Sequence, residues 1–231
     1  MPETRPRRHD LVWLDPGALE RIEVAPDDRA MLAAWLRLER PLVAGRHEAG
    51  DARLRLGFTV PGIGARRRIG VLAPRDTLVA RKPPPPLAEL IEVAPLSWRA
   101  TLRDLSTAMT ATGHVVRAYG SLVNQSIIGE PCLHVASDLD VVVDCADRAR
   151  AIDALRILDP FADTHPRIDG ELRVGGWAVA WRELAAAVDA GRSVLAKSDG
   201  AVRLMAADEF LDAVHRVQTD ADQRAPDPLA A

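Results

Sequence analysis

The stretch that decides the fold runs from Val115 to Val143 and reads VVRAYGSLVNQSIIGEPCLHVASDLDVVV. Its first five residues are typical of a strand that ends at Gly120-Ser121. A short helix is predicted next, followed by a second strand from Asp138 to the end of the stretch. The three valines that close this second strand indicate burial on both of its faces. The stretch therefore predicts a sheet with flanking helices.

The rest of the second half of the chain continues this alternation. The predicted helices are one capped at Ser97 and closed at Gly113, one from Arg148 to Leu158, one from Glu183 to Ala190, and one that starts at Asp208. Gly170 and the pair Gly175-Gly176 are expected to punctuate two short strands. Residues 194–196 and 202–205 are expected to form a hairpin.

The first half of the chain is predicted to be mostly β with one helix. Residues 11–14 form a short apolar run typical of a strand, and a helix starts at Asp27 or Asp28. Residues 54–60 alternate apolar with other residues, which predicts a half-buried strand. Residues 69–72 return as its hairpin partner, after a turn at 61–64. The whole chain is therefore predicted to have an α+β fold.

Four consecutive prolines, at positions 83–86, separate the two halves. Such a run favours polyproline II and excludes a helix or a central strand. A connecting loop inside one domain is the alternative to a linker. We predict a small accessory domain at 1–82, a linker at 83–88, a nucleotidyltransferase-like domain at 89–217 and a disordered tail at 218–231.

The composition of the 231-residue chain excludes several classes of function. A formal net charge of −3 gives no overall basic field for nucleic acid, and the arginine clusters at 5–8 and 66–68 are interpreted as solvated surface. No apolar run is long enough to cross a membrane or serve as a signal peptide, so a cytoplasmic location is expected. Cys132 and Cys145 have neither zinc-site spacing nor the number that a disulfide framework needs.

Asp138 and Asp140 form the first of two motifs that carry chemistry. Because side chains two residues apart on a strand share a face, their carboxylates lie side by side and repel each other. A divalent cation is the natural counter-ion, and Mg²⁺, or Mn²⁺ in its place, binds a few carboxylates together with phosphate oxygens. A solvated strand end is the alternative interpretation of this pair.

Gly120-Ser121 is the second motif, and it predicts a phosphate cradle. Glycine allows a sharp turn after a strand, and the serine with neighbouring N–H groups at a helix start can hold phosphate oxygens. Asp169 is the best-placed third carboxylate, although it is also a natural turn residue before Gly170. Three acids can hold two metal ions at a phosphoryl transfer, and Asp169 can also accept the proton of an attacking hydroxyl. The order of the two motifs predicts a metal-dependent nucleotidyltransferase.

Both motifs belong to a longer set of residues: Tyr119-Gly120-Ser121-Leu122, Gln125, Gly129, Leu133 and Ser137-Asp138-Leu139-Asp140. Further segments are Arg8-His9-Asp10-Leu11-Val12-Trp13-Leu14, Pro41-Leu42-Val43, Asp169-Gly170-Glu171, residues 178–183 (AVAWRE) and Val194-Leu195-Ala196-Lys197. Together they resemble the phosphoribosyl-dephospho-CoA transferase family, the holo-acyl-carrier-protein synthases of malonate decarboxylase. Asn124 and Cys132 depart from the family pattern, in which an aromatic residue and a tyrosine are expected.

The resemblance implies a substrate, 2′-(5″-triphosphoribosyl)-3′-dephospho-CoA, and an acceptor, a serine on the apo acyl-carrier subunit of malonate decarboxylase. It implies a phosphodiester product with release of diphosphate. Neither nucleic acid nor a membrane is an expected partner. The implied metal ligands and catalytic residues are Asp138, Asp140 and Asp169, and the implied substrate-binding residues are Gly120, Ser121, Gln125 and Lys197.

Several alternatives stay open at this point. Gln125 can cap backbone groups instead of binding substrate, and Lys197 can be a solvated residue beside a turn. His9 and Asp10 can simply fix the start of the first strand. A nucleotidyltransferase with another acceptor, such as a small molecule or an adenylylated protein, is an alternative function. A non-catalytic module that binds a carrier protein is another.

Overall fold

The strands that the structure describes lie in two separate β-sheets, which confirms the predicted α+β class. The computed structural model describes residues 5–48, 50–60, 67–134 and 136–213. Strands that precede the four prolines form the first sheet, and strands that follow them form the second. The domain bounds inferred from the sequence stay a prediction.

The first sheet is antiparallel and carries one helix on one of its faces. Its strands are β1 (Leu11–Leu14), β2 (Leu42–Ala44), β3 (Leu54–Val60), β4 (Arg67–Ala73) and β5 (Leu78–Lys82), in the spatial order β4-β3-β2-β1-β5. Helix α1 (Arg29–Arg37) buries Leu32, Trp35 and Leu36 in the same apolar cluster as Phe58 of β3. The opposite face of the sheet is therefore free to contact the second half of the chain.

The second sheet has the order β11-β10-β9-β8-β7-β6. Its elements are α2 (Leu96–Ala111), β6 (Val116–Ala118), α3 (Ser121–Ile128), β7 (Leu139–Asp144), α4 (Arg148–Leu158), β8 (Ile168–Val174), β9 (Trp177–Ala180), α5 (Trp181–Val188), β10 (Ser193–Lys197), β11 (Val202–Ala206) and α6 (Ala207–Leu211). The crossover through α4 makes β7 and β8 parallel, while the other neighbouring pairs are antiparallel.

The two faces of the second sheet differ in chemistry. Leu139, Val141 and Val143 of β7 are at most 1% exposed and belong to one apolar cluster with residues of α2, α4 and α5. Because a strand alternates its side chains, Asp140 and Asp144 of the same strand lie on the opposite face. The apolar face therefore packs against the helices, and the polar face carries the candidate catalytic carboxylates.

Residues 5–10, here called the N-terminal segment, contact the polar face of the second sheet. An Arg7 guanidinium nitrogen lies 3.0 Å from Asp144 Oδ1, and an Arg8 guanidinium nitrogen lies 2.7 Å from Glu171 Oε1. The Arg173 guanidinium donates a hydrogen bond of 2.6 Å to the Arg8 carbonyl. These contacts fasten the two halves of the chain together beside the predicted site.

Most predicted elements of both sheets are present, but three details differ. Helix α2 starts at Leu96 with Pro95 at its N-cap, so Ser97 lies inside the first turn and does not cap it. Gly170 does not end a strand but lies within β8, where a Cβ would come within 2.5 Å of Val141 Cγ2. The short strands β2 and β5 were not predicted.

The four prolines form neither a helix nor a central strand, as predicted. They lie against β6, since the Pro85 carbonyl accepts the Ala118 N–H at 2.9 Å and the Pro84 carbonyl accepts from the Arg117 guanidinium. The predicted tail at 218–231 and the predicted turn at 61–64 lie outside the described residues. Within the described ranges, no helix combines the length and apolarity needed to cross a bilayer.

Candidate active site

Gly120 joins β6 to α3 directly against Asp140 of β7. Its backbone has φ +71° and ψ −140°, and a Cβ at this position would lie 2.0 Å from Asp140 Oδ2. Only glycine can adopt this backbone conformation and also lie this close to the Asp140 carboxylate. The Tyr119 N–H donates to the Asp140 carbonyl at 3.0 Å, and the Ser121 N–H donates to the Asp140 carboxylate. The predicted cradle and the predicted acid are therefore held as one unit.

Asp140 lies in a concentration of negative charge. In the parallel register of β7 and β8 it is paired with Asp169, and Asp138 lies immediately before β7, two residues ahead of Asp140. Burial, followed by the charges of Asp169 and Asp138, raises the pKa of Asp140 to about 6, against an opposing effect of the Arg68 guanidinium. A carboxyl group with such neighbours is typical of a functional site.

The donors at this point suit a hard divalent cation that a phosphate also binds. Carboxylate oxygens are the ligands that Mg²⁺ prefers, and it commonly takes one or two of them with waters and substrate phosphates. In the described part of the chain, no group of three or more His, Cys, Asp or Glu side chains is gathered to hold a metal ion by itself. Asp138 is 3.2 Å from an Arg167 guanidinium nitrogen. A cation here would therefore need waters or phosphate oxygens to complete its ligands.

Ser121 is the first residue of α3, as predicted, with Gly120 at the N-cap. N–H groups at a helix start have no partner within the helix and favour an anion. One of them is already directed at Asp140, because the Ser121 N–H donates to its carboxylate. The helix start and the carboxylates therefore face a common point at which a phosphate and a cation can meet.

Profile comparisons and similar proteins place the chain in a family. Residues 7–84 match the model of the phosphoribosyl-dephospho-CoA transferase MdcG N-terminal domain, and residues 86–208 match that of the C-terminal domain. A phosphoribosyl-dephospho-CoA transferase of Xanthomonas campestris is 33% identical over 199 residues, which cover 84% of this chain and 91% of that protein. The chain belongs to the phosphoribosyl-dephospho-CoA transferase family.

Other transferases of the same name show similar coverage. The protein of Bradyrhizobium diazoefficiens is 32% identical over 78% of this chain and 82% of its own length. The protein of Pseudomonas aeruginosa is 32% identical over 87% of this chain and 92% of its own length. No solved structure matches the chain. Membership of the family makes the chain an enzyme of the transferase class.

Two residues that the family resemblance assigned to substrate binding have protein partners. The Gln125 side chain donates to the Val93 carbonyl at 2.8 Å and accepts the Cys132 N–H at 3.0 Å. Gln125 therefore caps backbone groups, the alternative left open by the sequence. Lys197 Nζ lies 3.6 Å from Glu171 Oε1, so this lysine belongs to the ion cluster around Glu171.

His9 of the N-terminal segment reaches the same face. Its ring stacks on Tyr119 with centroids 3.8 Å apart, and its Nε2 lies 3.7 Å from Glu171 Oε2. Burial lowers the pKa of His9 and raises the pKa of Tyr119, so both rings are neutral at neutral pH. Asp10 accepts from the Arg7 N–H and pairs with Arg81, so it fixes the start of β1.

Glu171 is the residue of this region that the sequence interpretation left without a role. Burial alone would raise the pKa of this carboxyl, but the facing His9 ring and the charge and hydrogen bond of the Arg8 guanidinium outweigh it and lower the pKa to about 2. Its position two residues after Asp169 was the available signal, because strand alternation puts both side chains on one face.

A cleft between the two sheets opens beside Gly120. Leu11 and Val43 line it from the first sheet, and Tyr119, Val123 and Asn124 line it from the second half of the chain. Asn124, which departs from the family pattern, therefore lies at the wall of this cleft. Residues of both halves of the chain therefore line the candidate site.

Proposed function

We propose that the enzyme transfers 2′-(5″-triphosphoribosyl)-3′-dephospho-CoA to a serine of the apo acyl-carrier protein of malonate decarboxylase. The observation that carries this proposal is the contact between Gly120 and Asp140, with Asp169 paired to Asp140 across the parallel strands. That arrangement suits a phosphoryl group transferred between a helix start and a carboxylate cluster. The names of the similar transferases support the dephospho-CoA substrate.

The reaction is a displacement at the phosphorus nearest the ribose. The serine oxygen of the carrier forms a new bond to this phosphorus, the bond to the next phosphate oxygen breaks, and its electron pair leaves with diphosphate. The proton of the serine passes to Asp169 or to solvent. The nucleophile belongs to the carrier, so the enzyme needs no nucleophilic serine of its own.

The residues of this chain bind and orient the reacting groups. The Ser121 side chain and the remaining N–H groups at the start of α3 are proposed to hold phosphate oxygens, and Asp138, Asp140 and Asp169 are proposed to hold Mg²⁺, or Mn²⁺ in its place. When bound, the cation neutralises charge that develops on the transferred and leaving phosphates. The mutual repulsion that raises the pKa of Asp140 supports this assignment, because an added cation would relieve it.

Transfer onto the carrier is the deciding experiment. We expect the purified enzyme with Mg²⁺, apo carrier and the triphosphoribosyl substrate to increase the mass of the carrier by the phosphoribosyl-dephospho-CoA group, and a chelator to abolish the increase. No increase in mass would refute the proposed acceptor. An adenylyl group transferred from ATP would instead support a nucleotidyltransferase with a different donor and acceptor.

Asp138→Asn is the variant that tests the carboxylates. We expect at least a 100-fold loss of transfer with an unchanged circular dichroism spectrum, because one charge that holds the cation is removed. Asp144→Asn is the matched control, since Asp144 ends β7, the strand that Asp138 immediately precedes, and pairs with Arg7 away from Gly120. Unchanged transfer by Asp138→Asn would exclude this acid from the mechanism.

A further inference from the structure

The first sheet turns one face toward the phosphate cradle. Its register pairs Leu11 with Val43, Val43 with Gly57, and Gly57 with Gly70. Residues paired across strands present their side chains on the same face, so these four positions form one row across the sheet. Leu11 and Val43 line the cleft beside Gly120. The face that carries this row therefore looks onto the cradle.

Arg68 lies on that same face. It precedes Gly70 by two residues on β4 and is paired with Thr59 of β3, so strand alternation places its side chain beside the row of Gly57 and Gly70. The glycines put no side chain between Arg68 and the cleft, and a Cβ on Gly70 would meet no atom within 4 Å.

Arg67 shows that the neighbouring arginine has a different role. Alternation sends its side chain to the opposite face of β4, where its guanidinium forms an ion pair of 2.6 Å with Asp28, the residue before α1. The sequence run Arg66-Arg67-Arg68 is therefore divided by the strand, and only Arg68 of the two described arginines is turned to the cradle.

The charge of Arg68 acts on the candidate active site. Its positive charge partly opposes the rise that burial, Asp169 and Asp138 cause in the pKa of Asp140. Arg68 is exposed, and among the residues that the structure describes no carboxylate forms an ion pair with it. Arginine presents several N–H donors in a planar fork that matches phosphate oxygens. An exposed arginine beside a phosphate cradle is well placed for such a ligand.

We propose that Arg68 of the first sheet binds the triphosphate of the substrate, through oxygens of the diphosphate that leaves. This inference rests on the proposed function, since it names a further contact of the same substrate. The cradle and the carboxylates approach the phosphates from the second sheet, and Arg68 approaches them from the first. The negative charge that accumulates on the leaving diphosphate is then stabilised by a fixed cation. The first sheet thereby completes the active site.

Arg68→Gln tests the proposal in the transfer reaction, with Arg67→Gln as the matched control on the same strand. We expect Arg68→Gln to lower kcat/KM for the triphosphoribosyl substrate about 10- to 100-fold and to weaken inhibition by added diphosphate to a similar extent. Arg68→Lys should recover part of the loss, and Arg67→Gln should stay within about twofold of the unaltered enzyme. Equal kinetics for Arg68→Gln and the unaltered enzyme would overturn the role of Arg68.

Binding of inorganic triphosphate with Mg²⁺, measured by titration calorimetry, separates this inference from the proposed function. We expect the unaltered enzyme and Arg67→Gln to bind alike, and Arg68→Gln to bind at least tenfold more weakly. This result would support Arg68 even if no group reached the carrier, an outcome that would refute the acceptor alone. Equal affinity in all three proteins, or no binding by the unaltered enzyme, would refute the triphosphate contact.

Discussion

Asp140 and Glu171 lie on the same face of the second sheet, yet their surroundings move their pKa values in opposite directions. Burial and two neighbouring aspartates raise the pKa of Asp140 to about 6, whereas His9 and Arg8 outweigh burial and lower the pKa of Glu171 to about 2. Glu171 has fixed cations, so it contributes to stability. Asp140 is left with excess negative charge, which suits a ligand that brings positive charge with it.

Replacement of Gly120 by alanine, which disturbs Asp140, is expected to have the largest effect on transfer. The new Cβ would lie 2.0 Å from Asp140 Oδ2 in a backbone with φ +71°, so the carboxylate and the cradle must separate. We expect at least a 100-fold loss of transfer and a loss of roughly 1–3 kcal/mol of stability, measured by carrier mass and by denaturant unfolding.

Gly129→Ala is the matched control at the other end of α3. Gly129 also has a positive φ, +77°, but a Cβ there would meet nothing within 4 Å. It should lose about 1 kcal/mol of stability and keep its transfer activity. Loss of transfer in both variants to the same degree would mean that helix geometry, and not the contact with Asp140, limits the reaction.

Glu171→Gln tests the other side of the comparison. Arg8 would lose a buried partner at 2.7 Å, and the free energy of unfolding should fall by about 3 kcal/mol at pH 7. Because the folded pKa of Glu171 is about 2, its contribution is complete above its unfolded value of about 4.3 and is lost as the pH falls toward 2. The difference in free energy of unfolding between the variant and the unaltered protein should therefore stay constant from pH 7 to about 5 and shrink as the pH falls toward 3.

Asp144→Asn provides a reference for an exposed pair on the same face. Its partner Arg7 is 40% exposed and Asp144 is 46% exposed, so the change should cost less than about 1 kcal/mol. A cost equal to that of Glu171→Gln would show that burial of the ion pair is not what distinguishes the two carboxylates.

Asp140→Asn should change stability in the opposite direction and by a smaller amount. The raised pKa means that the folded protein favours the protonated form of Asp140. Ionisation of Asp140 therefore lowers the stability as the pH rises from about 4 through 6. At pH 7.5 without added cation, the free energy of unfolding of the variant should be roughly 1–2 kcal/mol higher than that of the unaltered protein. The variant should also lose transfer activity. A destabilised variant would mean that the Ser121 N–H stabilises the ionised form more than the aspartates destabilise it.

The sequence predicted those features that depend on local periodicity. Helical spacing identified Arg148–Leu158 with the observed bounds, and the apolar run identified β7, which begins at Leu139 and leaves Asp138 just before the strand. The match of Asp140 with Asp169 also needed the parallel register of β7 and β8. That register follows from the crossover helix, which pattern analysis predicts only as a separate element.

Features that depend on contacts between the two sheets could not be predicted in this way. The run of arginines at 66–68 carries no periodic signal, so it was interpreted as solvated surface, while strand β4 directs Arg67 and Arg68 to opposite faces. The strands β2 and β5 are short and gain their partners only within the assembled sheet. Glu171 received no role because its cations lie far away in the chain, as Arg8 does.

The separation of 163 residues between Arg8 and Glu171 has a consequence for the order of events during synthesis. The ribosome produces the N-terminal segment before any strand of the surface that the segment covers. The charge of Arg8 therefore stays hydrated until β8 has left the exit tunnel, and contacts so distant in sequence are expected to form late. The N-terminal segment is thus synthesised before β8, yet it can pair with Glu171 only after β8 has joined the second sheet.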